Sequence, residues 1–196
     1  PIYNRLYEFL GQDYINKQLA AKGYKNIQVL HRLDLLLSED ENRHTNPVWF
    51  YNPASRQPVY KQPMQFCETQ YPPRADFIGK AYYADTALMN APMDFSKKNK
   101  ASLEELHNIL QCLIFPERQR PEQRFNITEA DRRFLLQYIS EYPGESKFPS
   151  YDSSYYDAWA KFMLLGAEKT PVPEGIRIFN KIGEAYGQLT DVAYVV

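Results

Sequence analysis

Apolar and polar residues alternate along the last part of the chain, residues 176–196, with the sequence IRIFNKIGEAYGQLTDVAYVV. This period of two, in residues that are mostly β-branched or aromatic, predicts two strands, and the glycines at 183 and 187 predict a hairpin. We expect the first strand to end at Lys181-Ile182-Gly183. The second strand is apolar on both faces, which is typical of a strand covered on both sides.

Elsewhere the apolar residues recur at helical spacing. Ser102 with Glu105, and Thr128 with Asp131, precede apolar repeats and predict capped helix starts. After Thr128 we expect one apolar face to point inward, formed by Phe134, Leu135, Tyr138 and Ile139. The predicted helices cover residues 1–10 with Pro1 as first helical residue, residues 12–22, a helix from Ser102 to a stop at Pro116, a helix from Thr128 to a stop at Pro143, and residues 155–165.

Strand and loop patterns fill the middle of the chain. Two aromatic-rich segments flank a turn within residues 47–67, which predicts a second hairpin, and its prolines place it at a sheet edge. Residues 68–100 carry a weak pattern that predicts a long loop with a short helix at 84–89. Residues 38–46 are polar and predict a charged loop.

Composition excludes several classes of protein. The net charge is −1, so no basic surface for nucleic acid or an anionic membrane is indicated. No apolar run approaches the ~18 residues that a membrane span needs. The two cysteines, Cys67 and Cys112, predict free thiols, and His31 and His44 are not spaced as metal ligands. We therefore expect no metal and no cofactor.

Taken in order, these elements resemble the penicillin-recognising serine hydrolases, especially the class A β-lactamases. That family has an α+β fold, with a helical lobe packed on an antiparallel sheet. Three motifs line the groove between them: S-x-x-K, S-D-N and K-T-G. The resemblance implies that residues 1–172 form mainly the helical lobe, with an insertion at about 45–100, and that residues 173–196 form sheet strands of one partial domain.

The resemblance assigns supporting roles to four residues. Asn4 matches an Asn that follows S-D-N in the family and braces the loop carrying the base. Arg32-Leu33-Asp34 is similar to the R-L-D that opens this Ω-shaped loop, and Asn42 is similar to the Asn that closes it. Among the acidic residues between them, Glu39 is the first choice for the base, with Asp40 and Glu41 as alternatives.

Lys181-Ile182-Gly183 occupies the K-T-G position. By resemblance, Lys181 supplies positive charge and helps to hold a substrate carboxylate, and the backbone N–H of Glu184 stabilises an oxyanion. Ile182 departs from the family, since it cannot donate a hydrogen bond as the motif Thr does. We therefore expect poor β-lactam turnover, or a different acyl substrate. From local sequence alone, an ordinary hairpin with a solvated Lys181 is the alternative.

The resemblance implies that the chain is part of a bacterial serine hydrolase of the periplasm or cell envelope. Such an enzyme forms an acyl-enzyme on a β-lactam or a peptide-like amide. We expect a fragment, incomplete at both ends and inactive alone, because the nucleophile and the S-D-N motif would lie upstream of Pro1. Its partners would be a small-molecule or peptide substrate and that upstream segment. The alternatives are an inactive binding module for cell-wall peptides, and an unrelated helical domain whose hairpin mimics the motif.

Overall fold

The computed structural model describes residues 2–166 and 168–196, and the chain divides into two compact units, Pro1–Ala101 and Ser102–Val196. Helices and small antiparallel sheets occur in both units, so the fold is α+β at this coarse level. The β-lactamase-like fold and the single partial domain stay predictions. Pro1, the predicted first helical residue, lies outside the described residues.

The first unit contains short helices and paired strands. Its elements are α1 (Ile2–Leu10), α2 (Gln12–Ala21), α3 (Glu39–Arg43), β1 (Val48–Tyr51), β2 (Pro58–Gln62), β3 (Phe77–Ile78), β4 (Tyr82–Ala84), β5 (Ala87–Met89) and β6 (Met93–Asp94). Strand β1 pairs with β2, β3 with β6, and β4 with β5, all antiparallel. The two N-terminal helices and the hairpin within residues 47–67 are confirmed.

Three predictions for the first unit are wrong in whole or in part. Residues 68–100, predicted as a long loop, contain the four short strands β3 to β6. Within residues 38–46, predicted as a loop, residues 39–43 form α3. Ser38 and Glu41 start this helix with a capping box: the Ser38 side chain accepts from the Glu41 N–H, and the Glu41 carboxylate accepts from the Ser38 N–H. Residues 84–89 are not a helix but the turn and strand of the β4–β5 hairpin. Asp85 in that turn has a φ of 52°, which a helix does not allow.

The second unit packs three helices with one hairpin. Its elements are α4 (Leu103–Ile114), α5 (Glu129–Ser140), α6 (Phe162–Leu165), β7 (Ile178–Ala185) and β8 (Gln188–Val195). Both predicted caps are confirmed, since the Ser102 and Thr128 side chains accept from the N–H groups of Glu105 and Asp131. The helix predicted at 155–165 is wrong in extent, because α6 begins only at Phe162 after an Ala160 with a φ of 61°.

The C-terminal hairpin is longer than predicted. Strand β7 continues through Lys181-Ile182-Gly183 to Ala185, and Tyr186 and Gly187 form the turn with φ of 53° and 75°. Positive φ at both central residues is typical of a type I′ turn, which joins antiparallel strands directly. Gly183 therefore lies within the strand, opposite Thr190, and does not end it.

Burial in the second unit differs from the sequence prediction. Phe134, Leu135 and Tyr138 of α5 are exposed, and no residue of β8 is buried, so neither the inward face of α5 nor the double cover of β8 is found. Helical or strand periodicity identifies an apolar stripe, but it does not show whether a neighbouring element covers that stripe. The buried centre forms instead around Ile178, which has no exposed surface.

Candidate functional site

Asn4 joins α1 to the loop that follows Arg32. Its side-chain amide donates to the Leu33 carbonyl at 2.9 Å, and its Oδ1 accepts from the Leu33 N–H at 2.8 Å. Asn4 is buried, which explains a poor helix former within α1, because both polar atoms of its amide have backbone partners. A residue that braces the loop carrying the base needs such a contact. That Asn4 has this role in catalysis stays a prediction.

Asn42 closes the loop that Arg32 opens. Its Oδ1 accepts from the Arg32 N–H at 3.0 Å, and its Nδ2 donates to the carbonyls of Leu37 and Ser38 at 3.3 and 2.9 Å. The Arg32 guanidinium is also buried and donates to the carbonyls of Glu41 and His44. The loop 32–42 is thus held at both ends by side chains from α1, α3 and Arg32.

The acidic residues of this loop that were given roles, Asp34 and the three candidates for the base, are all exposed. Asp34 has a φ of 54°, and Glu39 stands at the start of α3 and forms an ion pair with Lys97. Glu39 and Lys97 also border an open groove of about 590 Å³. Its other lining residues are Asp40, Arg43, Gln70, Tyr71, Pro72 and Pro73.

The three candidates for the base have different partners. Backbone and side-chain hydrogen bonds from Ser38 lower the pKa of Glu41, so this carboxylate is committed to capping α3. Asp40 lies 3.7 Å from the Nδ1 of His44. Glu39 is the one that faces the Lys97 ammonium, and it keeps its place as first choice, as a prediction.

Lys181, Ile182, Gly183 and Glu184 follow one another along β7 in the second unit. Lys181 is exposed, and its ammonium donates to the Ile182 carbonyl. In an antiparallel strand, successive side chains point to opposite faces, so Lys181 and Gly183 share one face and Ile182 and Glu184 the other. The predicted substrate residues are therefore contiguous, but Ile182 lies on the face opposite to Lys181.

The pairing of the hairpin decides where its backbone groups point. Arg177 and Val196 exchange both backbone hydrogen bonds, at 2.8 and 3.0 Å. Hydrogen-bonded pairs alternate along an antiparallel ladder, so the N–H and C=O groups of Ile182 and Glu184 point away from β8. Within the described part of the chain β7 pairs with β8 alone, so this edge of β7 has no partner strand. Two of its carbonyls have side-chain donors, Lys161 at Ile178 and Lys181 at Ile182.

Sequence reasoning missed the polar cluster beneath the hairpin. The Lys161 ammonium is buried and donates to the carbonyls of Ile139 and Ile178 and to the Asn180 Oδ1. Asn180 in turn donates to Asp191 at 2.9 Å. Burial lowers the pKa of Lys161 to about 8. The one sequence signal was a lysine inside an apolar segment, between Ala160 and Phe162.

Two features are absent from the residues that the structure describes, a cluster of metal ligands and a membrane-spanning helix. No three His, Cys, Asp or Glu side chains in that part of the chain come together to hold a metal ion. No helix there has the length and apolar character needed to cross a bilayer.

No family model, curated protein or solved structure matches the chain. The serine hydrolase resemblance therefore depends on the motifs and on the geometry around them.

Proposed function

We propose that the chain belongs to a bacterial serine hydrolase of the cell envelope, related in chemistry to the β-lactamases, which forms an acyl-enzyme on a β-lactam or a peptide-like amide. The observation that carries this proposal is the open edge of β7. There, the Lys181 ammonium lies beside the Ile182 carbonyl, and the Glu184 N–H points away from β8.

This edge is suited to an acyl substrate that carries an anionic group. A peptide-like compound lying along β7 can pair as an added strand with the backbone groups of Ile182 and Glu184 that point away from β8, once the Lys181 ammonium leaves the Ile182 carbonyl. The Glu184 N–H then donates to the acyl oxygen as negative charge develops on it, and Lys181 attracts the anionic group. The Glu184 N–H is held in place by its strand, so its contribution to the stabilisation is preorganised, whereas the exposed Lys181 ammonium turns from the Ile182 carbonyl to the anionic group.

The nucleophile is supplied, in this proposal, by another part of the same protein. Neither S-x-x-K nor S-D-N occurs in the 196 residues. Within the first unit, Asn4 and Asn42 hold the loop 32–42 through contacts with its backbone, and Glu39 keeps its proposed role as a water-activating carboxylate.

A binding module for cell-wall peptides is the second candidate. Two observations favour it. The Glu39 carboxylate is engaged by Lys97, so it is not a free base in this structure. Ile182 replaces a hydroxyl donor. Such a module uses the open edge of β7 for binding, without acyl transfer.

Labelling with a fluorescent penicillin, followed by intact mass, separates the two candidates. The full-length protein, this chain alone and the Lys181→Met full-length variant are compared at equal concentration. We expect a stable adduct on the full-length protein, slower labelling of Lys181→Met, and none on the chain alone. A folded full-length protein that forms no adduct, yet binds cell-wall peptide, overturns the hydrolase proposal in favour of the binding module.

A further inference from the structure

We infer that Thr190, on the strand next to β7, supplies the hydroxyl that binds the substrate's carboxylate together with Lys181. This inference deepens the proposed function and rests on it. It starts from a contact between strands: Gly183 and Thr190 are directly opposed, and a Cβ added to Gly183 would lie 2.7 Å from the Thr190 Oγ1. The glycine is therefore needed to leave room for this hydroxyl.

The Thr190 hydroxyl lies on the same face of the hairpin as Lys181. Opposed residues of an antiparallel pair point to the same face, and so do residues two apart in one strand. Lys181 opposes Val192, so Thr190 is its diagonal neighbour. Diagonal neighbours have Cα atoms about 7–8 Å apart, a distance that a lysine ammonium and a hydroxyl can bridge through one carboxylate. To do so, the exposed Lys181 side chain exchanges the Ile182 carbonyl, which points away from β8, for the carboxylate.

The hydroxyl can turn to a ligand at little cost. Its hydrogen bond to the Gly183 carbonyl measures 3.3 Å, longer than the usual ~2.7–2.8 Å for a hydroxyl donor. The pairing also gives this carbonyl the backbone N–H of Thr190, so it keeps a donor when the hydroxyl leaves. A charged acceptor is the stronger partner for a hydroxyl donor.

A hydroxyl at position 182 could not bind this carboxylate together with Lys181, because residue 182 lies on the opposite face of the hairpin. Ile182 opposes Asp191, and that face packs on the segment around α6: Asp191 accepts from the Met163 N–H at 2.9 Å, and Asn180 donates to the Ala160 carbonyl at 2.7 Å. A hydroxyl introduced at 182 would therefore point toward this segment and away from the Lys181 face.

Two acyl-peptide probes test the inference. N-acetyl-D-alanyl-D-alanine carries a free carboxylate and its C-terminal amide does not. Dissociation constants of both are measured by calorimetry on full-length wild type, Thr190→Val, Thr190→Ser, and Thr190→Val combined with Ile182→Thr. Valine preserves the shape of threonine without the hydroxyl, and serine preserves the hydroxyl.

We expect wild type to prefer the acid over the amide, and Thr190→Val to weaken binding of the acid alone by about 10- to 100-fold. Thr190→Ser should retain most of the preference, and Ile182→Thr should not restore it. Equal preference in wild type and Thr190→Val, rescue by Ile182→Thr, or no preference in wild type overturns the inference.

Penicillin labelling of the same variants separates this inference from the proposed function. If no acyl adduct forms but the preference for the acid depends on Thr190, the hydrolase proposal fails and the carboxylate site stands. If an adduct forms and the preference does not depend on Thr190, only the carboxylate site fails.

Discussion

Replacing Lys161 by methionine tests the polar cluster beneath the hairpin. The ammonium donates to the Ile139 and Ile178 carbonyls at 3.0 Å each and to the Asn180 Oδ1 at 2.8 Å, and only 4% of the residue is exposed. Methionine has a similar length but no donor. The variant therefore leaves three acceptors without this partner while preserving the packing.

Two opposing free energies set the size of the effect. Each buried acceptor that loses its donor costs about 1–3 kcal/mol. Against this, burial lowers the pKa of Lys161 from 10.5 to about 8, so keeping the charge in the folded state costs at most about 3 kcal/mol at neutral pH. We therefore expect Lys161→Met to lower the free energy of unfolding by about 2 kcal/mol at pH 7.

The difference between the two proteins should grow with pH. Between pH 8 and 10.5 the unfolded chain still holds the Lys161 proton that the folded chain has lost. The unfolded state then binds more protons, so wild-type stability rises with pH, by at most about 3 kcal/mol, and less where solvent reaches the amine. Burial raises the pKa of Tyr7 and of Tyr142, which acts in the opposite direction above pH 10. Tyr7 affects both proteins equally, but the Tyr142 ring lies 5.7 Å from the Lys161 ammonium, so the trend between pH 8 and 10 is the one that decides.

Urea unfolding, followed by tryptophan fluorescence, measures this difference at half-unit steps from pH 7 to 10.5. Lys181→Met is the matched control, because Lys181 is an exposed lysine of the same hairpin and its loss should change stability little. A Lys161→Met deficit that stays constant or shrinks between pH 8 and 10 would refute the reasoning. So would a deficit no larger than that of the control.

Three further substitutions test single contacts. Asn42→Ala removes the amide that bridges Arg32 to the carbonyls of Leu37 and Ser38. It should lower the free energy of unfolding of the first unit by about 2–3 kcal/mol, measured in urea. An Arg32 amide proton that exchanges with deuterium at the wild-type rate in this variant would contradict this. Thr128→Ala removes the cap of α5 and should cost about 1 kcal/mol, whereas Thr128→Ser should cost little, and equal losses would argue against a hydroxyl cap. Gly183→Ala should displace the Thr190 hydroxyl and reduce the acid-over-amide preference, and a full preference in this variant would show that the hydroxyl is not involved.

Local chemistry accounts for what the sequence predicted well. The starts of α4 and α5 follow from Ser102 and Thr128, whose side chains satisfy N–H groups that a helix leaves free. The C-terminal hairpin follows from its period of two and from Gly187, which accepts the positive φ of the turn. Each of these elements depends on residues only a few positions apart.

Contacts between distant residues account for what the sequence could not predict. Lys161 appeared to be an ordinary helical lysine, because its partners Ile139 and Asn180 lie 22 and 19 positions away. The exposed stripe of α5 was predicted to be buried for the same reason, since periodicity carries no information on the neighbouring element. The start of α3, by contrast, could have been predicted from the sequence, because Ser38 and Glu41 have capping-box spacing. The charged residues around them favoured the prediction of a loop instead.

The pairing of the hairpin changes what Ile182 implies for the two candidate functions. Compared by sequence alone, Ile182 removes a hydroxyl from the K-T-G position and counts against turnover. In the folded hairpin, the face that carries Lys181 has a hydroxyl of its own, from Thr190, beside a glycine that leaves it room. Ile182 is then compatible with either candidate. The engagement of Glu39 by Lys97 is the more telling contact, because an occupied carboxylate limits water activation and not binding.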